Sequence, residues 1–349
     1  MLIGISQDYL YKNYTSDFVK KYARILDFNN IDYIWLNIND PDFWTKIKNI
    51  DCFIFRFPQY QSEKQIAKDI LPIIENEYKI KCFPNQKTCW HFDDKVKQYF
   101  LLKSHGFPII DTWIFYKREK AYKWAESTEY PVIFKLRGGA GSQNVIMVKN
   151  SRKAKKLIKK QFGKGIKYFG FLNFYSTSWK DKNFYGEYRK IGGKIKRLLQ
   201  GKEPRLHWQI DKNYCLFQKF IPNNNFDTRV TVIGDRAYAY RRLNRSNDFR
   251  SSGSGDFDVN PEAIDLQHIE KAFEITKKLN FQSMAYDFLY DERSDSKLCE
   301  ISYTFTDWML YECPGFWDSK LNWYEGQYWP QYFHLIDLLN IPDLKQPEF

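Results

Sequence analysis

The 349-residue sequence has no CxxC pair. Its six cysteines (Cys52, Cys82, Cys89, Cys215, Cys299, Cys313) are scattered, which argues against a disulfide scaffold or a zinc ribbon. The five histidines are as dispersed and form no HxxxH pair, so no His-rich metal site is expected. Gly 17 and Pro 13 are too few for a collagen-like or low-complexity chain. No apolar run approaches the ~18 residues of a membrane span, and Asp8, Lys12 and Asp17 interrupt any signal-peptide core. The expected setting is a reducing cytoplasm. No Ser/His/Asp or Cys/His constellation announces a protein nucleophile.

What is present describes a globular chain. Hydrophobic residues make up 43% and aromatics 19%, which excludes disorder. At roughly 150 residues per domain, the length suggests two or three domains. The formal charge of +12 suits either a polyanion or small anionic substrates such as nucleotides. The densest run (Arg152, Lys153, Lys155, Lys156, Lys159, Lys160) lies on an expected helix with Ser151 at its N-cap and Ala154, Leu157 and Ile158 as its apolar stripe. A solvated helix face is the favoured reading of that run.

The first 85 residues alternate short apolar runs (2–6, 33–36, 52–57, 81–83) with helical patterns (16–26, 66–78), which favours a small parallel α/β sheet. No residue there stands out as chemical. Further on, a helix at 95–103, strands at 112–116, 131–136 and 144–148, and the basic helix form a second unit. Residues 163–214 are polar, aromatic and weakly periodic, as in an insertion. The last third reads as strands 216–221, 229–233 and 237–241, a long helix 261–280, a hairpin of 283–290 with 297–302, and a closing helix 328–339.

Three groups could carry chemistry. In Arg137-Gly138-Gly139-Ala140-Gly141-Ser142-Gln143, the glycines permit positive φ and close approach of backbone N–H groups to an anion. The segment lacks GxxxxGK[ST] and precedes a strand-like run, so neither a P-loop nor a dinucleotide fingerprint fits. A flap over phosphates, with Lys135 as a point charge, and a plain glycine hairpin both remain. The second group is Asp287 and Glu300. If the hairpin closes about Arg293 and Ser294 they lie opposite each other, with Ser302 on the same face. This set suits Mg²⁺ that keeps waters and phosphate ligands, and salt bridges to the abundant arginines are the competing explanation. The third is cationic: Asp227-Thr228-Arg229, Arg241-Arg242 and Phe249-Arg250 could clamp a phosphoryl or carboxylate group, and arginines scattered over a sheet surface are the competing explanation.

In order along the chain, Asp94-Lys95, Pro131-x-x-x-Lys135-x-x-Gly-Gly-x-Gly, Gln218-Lys219-Phe220-Ile221-Pro222, Asp227-x-Arg229, Phe249-Arg250, Asp287 and Glu300-Ile-Ser302 resemble the ATP-grasp ligase superfamily, including its glutathione synthetase-like and ribosomal-protein glutamate ligase-like members. The resemblance covers about residues 80–315. It implies an α/β (α+β) ATP-grasp fold behind an N-terminal parallel α/β pre-ATP-grasp domain (1–90), with a central lobe (91–215) and a C-terminal lobe bearing the metal site (216–349). It places Lys95 and Lys135 on ATP phosphates, together with the flap residues Gly138, Gly139, Gly141 and Ser142. It places Gln218, Lys219, Phe220 and Ile221 around adenine, and Asp227 as a nucleotide-contacting acid. Arg229, Arg242 and Arg250 fall near the γ-phosphate or acyl group, and Asp287, Glu300 and Ser302 at Mg²⁺. Two positions depart from the pattern: Gln218 stands where Glu is common, and Ser302 where Glu-x-Asn has Asn. The aromatic stretch 303–323 resembles uncharacterised ATP-grasp proteins associated with bacterial surface polysaccharides.

The resemblance implies an ATP- and Mg²⁺-dependent carboxylate–amine ligase acting on small molecules, with sugar-linked acceptors among the candidates. Nucleic acid is not the expected partner. A kinase on the same fold, and a basic nucleic-acid or glycan-binding module with a degenerate site, are the alternatives.

Overall fold

A computed structural model describes residues 1–7, 15–139, 144–167, 210–245, 248–251 and 254–348. Its first unit is β1 (Leu2–Ser6), α1 (Asp17–Phe28), β2 (Asp32–Leu36), α2 (Phe43–Ile47), β3 (Cys52–Ile54), α3 (Gln61–Asn76) and β4 (Lys81–Phe83). The strands pair in parallel in the order β2-β1-β3-β4, as the strand–helix alternation requires. Ser16 caps α1 by accepting from the Val19 amide, and Val19, Tyr22, Ile25 and Leu26 form its buried stripe. The expected strand 52–57 ends at Ile54, although Phe55 and Phe57 still bury their rings in the core.

α4 (Gln86–Cys89) and α5 (Lys95–Ser104) lead to a second, antiparallel sheet. Its elements are β5 (Thr112–Phe115), α6 (Arg118–Ser127), β6 (Val132–Lys135), β7 (Ile146–Val148), α7 (Ser151–Gln161), the short pair β8 (Ile166–Lys167) and β9 (Ile210–Asp211), and β10 (Cys215–Lys219). The sheet order is β5-β10-β6-β7, and α6 and α7 cover one face. α7 is capped by Asn150, whose side chain accepts from the Lys153 amide at 3.0 Å, so Ser151 is the first helical residue and not the cap. Of the expected insertion 163–214, the part 168–209 lies outside the described residues.

The third sheet holds β11 (Phe226–Ile233), β12 (Arg236–Leu243) and β13 (Phe257–Asp258). After α8 (Leu266–Leu279) come β14 (Ser283–Tyr290), β15 (Ser296–Ser302), α9 (Asp307–Tyr311), β16 (Gly315–Asp318), β17 (Trp323–Glu325) and α10 (Pro330–Leu339). The order is β15-β14-β11-β12-β16-β17, with β13 beside β12. The long helix expected over 261–280 is two pieces. Pro261–Ala263 make one tight turn, Ile264 is extended, and Asp265 caps α8 by accepting from the Gln267 amide at 2.9 Å. α8 packs the third sheet into the same apolar core as α3 and the N-terminal sheet. α10 packs on the other face of the N-terminal sheet through Leu335, Leu338 and Leu339. Among the described residues no helix is long and apolar enough to cross a membrane.

Candidate active site

The second and third sheets enclose a cavity of about 480 Å³. The sequence-predicted residues Lys95, Lys135, Gly139, Gln218, Lys219, Phe220, Ile221, Asp227, Arg229, Arg242, Arg250, Asp287, Glu300 and Ser302 all line it. Gly138, in the loop that leaves β6, is not among the lining residues, and Gly141 and Ser142 lie outside the described residues.

β10 supplies one wall. Between β5 and β6 the Gln218 side chain is buried and donates to Thr112 Oγ1 at 3.3 Å. The chain then leaves the sheet, and Phe220 packs edge-on against Phe249 at 5.7 Å. β6 supplies Lys135, only 7% exposed. Its Nζ lies 3.5 Å from Cys299 Sγ, and no carboxylate among the described residues pairs with it. Burial raises the pKa of the Cys299 thiol against the pull of Lys135, so the neighbour of this ammonium is a neutral group.

The start of α5 ties down the glycine loop. Asp94 caps the helix and pairs with Arg137 at 2.9 Å, and the Lys95 amide donates to Arg137 O. Asp93 accepts from the Gly139 amide at 2.7 Å and from Lys64 Nζ at 2.7 Å. Gly139 has φ +114, a conformation that a side chain would strain. Lys95 Nζ donates to Gly139 O at 3.1 Å and pairs with Glu300 at 2.9 Å. Burial disfavours the Lys95 ammonium, but Glu300 and Asp93 outweigh it and hold its pKa above the usual lysine range.

The third sheet supplies an ionic network. Asp227 and Arg242 are cross-strand partners on β11 and β12, joined at 2.6 and 2.7 Å. Arg229 and Asp287 are cross-strand partners on β11 and β14, joined at 2.7 and 2.8 Å. Arg242 also reaches Asp287 at 2.8 Å and closes the network. Although burial opposes it, the two guanidinium groups hold the Asp287 carboxyl well below the usual carboxylate range. Asp227 is shifted upward by burial and by the nearby Asp287 charge, against Arg242. Arg250 is held by Asp248 at 2.8 Å.

Asp287 lies opposite Glu300, as a symmetric hairpin requires. One step on, the register slips and Phe288 faces Leu298, which makes Cys299 the extra residue of a bulge. That bulge lets Cys299 and Glu300 both face the cavity, and counting residues about the turn could not reveal it. Asp93, Cys299 and the wall residues Gln59 and Thr304–Thr306 carried no sequence signal of their own.

For a magnesium ion, the fit depends on its other ligands. Both Asp287 oxygens are engaged by arginine, and Ser302 donates its hydroxyl to Thr304 O at 2.8 Å. Glu300 keeps its carboxylate 31% exposed on the cavity. Among the described residues no cluster of three or more His, Cys, Asp or Glu is placed to cage an ion. The donor set therefore fits an ion that takes most of its ligands from phosphate and water and one from Glu300. Binding through Asp287 requires exchange of an arginine.

No protein-family model and no curated protein matches the chain. Solved structures do. N5-carboxyaminoimidazole ribonucleotide synthetase from Thermotoga maritima aligns with a TM-score of 0.59 at 14% identity, over 100% of this chain and 78% of that one. D-alanyl-alanine synthetase A from Vibrio cholerae aligns with a TM-score of 0.56 at 9% identity, over 97% of each chain. The biotin carboxylase domain of Hydrogenobacter thermophilus 2-oxoglutarate carboxylase, solved with MgADP and bicarbonate, aligns with a TM-score of 0.56 at 12% identity, over 97% of this chain and 70% of that one. At such identities the likeness is one of architecture, and it establishes that this chain has the ATP-grasp fold behind a parallel α/β sheet.

Proposed function

We propose that the protein is an ATP-dependent, Mg²⁺-assisted carboxylate–amine ligase for small molecules, with residues 1–90, 91–215 and 216–349 as its pre-ATP-grasp domain, central lobe and C-terminal lobe. The observation that carries this reading is Lys135. A buried ammonium with no carboxylate partner among the described residues is costly unless an anion completes it, and the cavity it faces also presents Lys95 and the Arg229/Arg242 network. The MgADP bound by the Hydrogenobacter domain supports the choice of nucleotide.

In this reading Lys135 and Lys95 bind the phosphates, and the backbone of Lys219–Ile221 reads the adenine, with Phe220 and Ile221 covering it. Glu300 would hold Mg²⁺, and Lys95 would then be free of that ion pair to bind the phosphates. The ion would neutralise phosphate charge during transfer. The substrate carboxylate attacks the γ-phosphorus and ADP leaves, giving an acyl phosphate. An amine then attacks the acyl carbon, inorganic phosphate leaves, and the nitrogen loses a proton. Arg250 stabilises charge on the acyl oxygen, held in place by Asp248. Asp227 and Asp287 act as positioning residues for Arg229 and Arg242. The loop through Gly138, Gly139, Gly141 and Ser142 excludes water over the phosphates.

The test is phosphate release from ATP and Mg²⁺ in a matrix of acids and amines. Release that requires one of each supports ligation. Transfer to a hydroxyl without an amine would replace the ligase by a kinase, and absence of ATP binding by calorimetry would remove both.

A further inference from the structure

On the N-terminal sheet, Arg56 has no carboxylate partner among the described residues. Arg56 lies two residues beyond β3. Its neighbours Phe55 and Phe57 turn into the core, 1% and 2% exposed, so Arg56 points to the opposite side. There its guanidinium carbon sits 4.6 Å from the centre of the Phe18 ring. Its Nε is fully buried with no hydrogen-bond partner, and no carboxylate among the described residues pairs with it. Asp307, whose charge bears with that of Arg56 on the Tyr22 hydroxyl, is engaged elsewhere. It accepts from Lys21 Nζ at 2.7 Å and from Gln331 Nε2 at 2.9 Å. A half-buried guanidinium in this state is poorly compensated, and its planar fork matches a carboxylate.

Topology supplies an independent reason to look here. The chain leaves β1 to one side to form β2 and returns on the other side as β3. In parallel α/β sheets, ligands bind outside the carboxyl ends of the strands at such a reversal, and Arg56 follows the carboxyl end of β3. The segment is held firmly, because the Tyr303 hydroxyl donates to Phe57 O and accepts from Phe57 N at 3.0 Å. It continues into Gln59, a wall residue of the cavity, and Phe18 meets Phe305, another wall residue, at 6.3 Å.

We propose that Arg56 is the anchor for a spectator carboxylate of the ligase's substrate. The substrate class is then a small acid with a second functional group, such as an amino acid with a free α-carboxylate or a dicarboxylate. The substrate role rests on the ligase reading, but binding of the acid can be read without nucleotide.

Ligand-observed NMR on the full chain, without ATP, should use a panel of free amino acids, succinate and glutarate, each beside its carboxamide. At least one acid is expected to bind, and its amide tenfold or more weaker. Arg56→Ala should weaken the acid tenfold or more and leave the amide unchanged, and Arg56→Lys should restore part of the difference. ATP affinity by calorimetry should stay within twofold in both variants. If Arg56→Ala does not fold, a severalfold loss for the acid alone in Arg56→Lys supports the assignment. Equal binding of acid and amide, an unchanged acid affinity in the variants, or no binding by any acid overturns it. Wild-type protein that binds the acid but not ATP would strike the ligase reading and leave this site standing.

Discussion

On the third sheet Asp227, Arg229, Arg242 and Asp287 neutralise one another across β11, β12 and β14, whereas on the second sheet Lys135 faces the same cavity beside the Cys299 thiol, with no carboxylate partner among the described residues. The first wall is complete before any ligand arrives: its guanidinium groups are oriented by bidentate pairs, so little reorganisation is needed when charge develops beside them. The second is incomplete and gains a counter-charge only on binding. A preorganised wall should therefore matter to stability and turnover together, and an uncompensated one to affinity alone.

Asp287→Ala attacks this contrast with the largest expected effect. It leaves two buried guanidinium groups without their shared carboxylate, and loss of one partner of a buried pair costs about 3–5 kcal/mol. Urea denaturation should show that loss, and turnover should fall with it. A stability change below about 1 kcal/mol would mean that the network is not formed in solution. Lys135→Ala should do the reverse. A hydrogen bond to a charged group contributes about 1.5–3 kcal/mol, which corresponds to roughly 10- to 150-fold weaker ATP binding by calorimetry. The urea midpoint should stay level or rise, because the substitution removes an uncompensated buried charge. A marked loss of stability would show that Lys135 has a partner inside the protein.

How much of this was legible in the sequence follows from which interactions are local. Strand alternation and the count of residues about the β14–β15 turn placed Asp287 opposite Glu300, and the glycine run marked the loop after β6. The pairing of Asp227 with Arg242 and of Arg229 with Asp287 depends on the registers of three strands, which no segment declares alone. The periodicity of Pro261–Leu279 continues through Ile264, so the pattern concealed the break that the Asp265 cap imposes. Arg56 looked like one basic residue among many, because its isolation depends on Asp307 being taken by Lys21, a residue 286 positions away.

Buried groups kept neutral extend the comparison to the core. Burial pushes the His334 pKa down to about 3, while its ring nitrogens bond the Tyr22 and Ser283 hydroxyls at 2.8 and 3.0 Å. The unfolded imidazole titrates near 6.5, so between that pH and about 3 the unfolded chain binds the extra proton. This contribution is whole above pH 6.5 and is lost as pH falls. From pH 7 to pH 5 the loss is roughly 2 kcal/mol for this residue. His91 and His268, pushed down to about 3 and about 4, act in the same direction. Urea midpoints at the two pH values should separate wild type from His334→Gln by that difference, and parallel pH profiles would show that the ring is accessible to protons.

The smallest effect concerns the helix behind the Lys135 wall. Asn150 and Ser151 are both residue types that cap helices, so position alone does not decide between them. The backbone decides: Asn150 is extended and its side chain accepts from the Lys153 amide, whereas Ser151 is already the first helical residue. Asn150→Ala should therefore cost about 1 kcal/mol, with Ser151→Ala costing less than half of that. Amide hydrogen exchange should show the loss of protection in the first turn of α7, leaving β11 and β14 untouched. If the two substitutions weakened α7 equally, the end of this helix would be held by packing against α6 rather than by its cap. The second sheet would then be stiffened from behind by apolar contacts, as the third sheet is by α8.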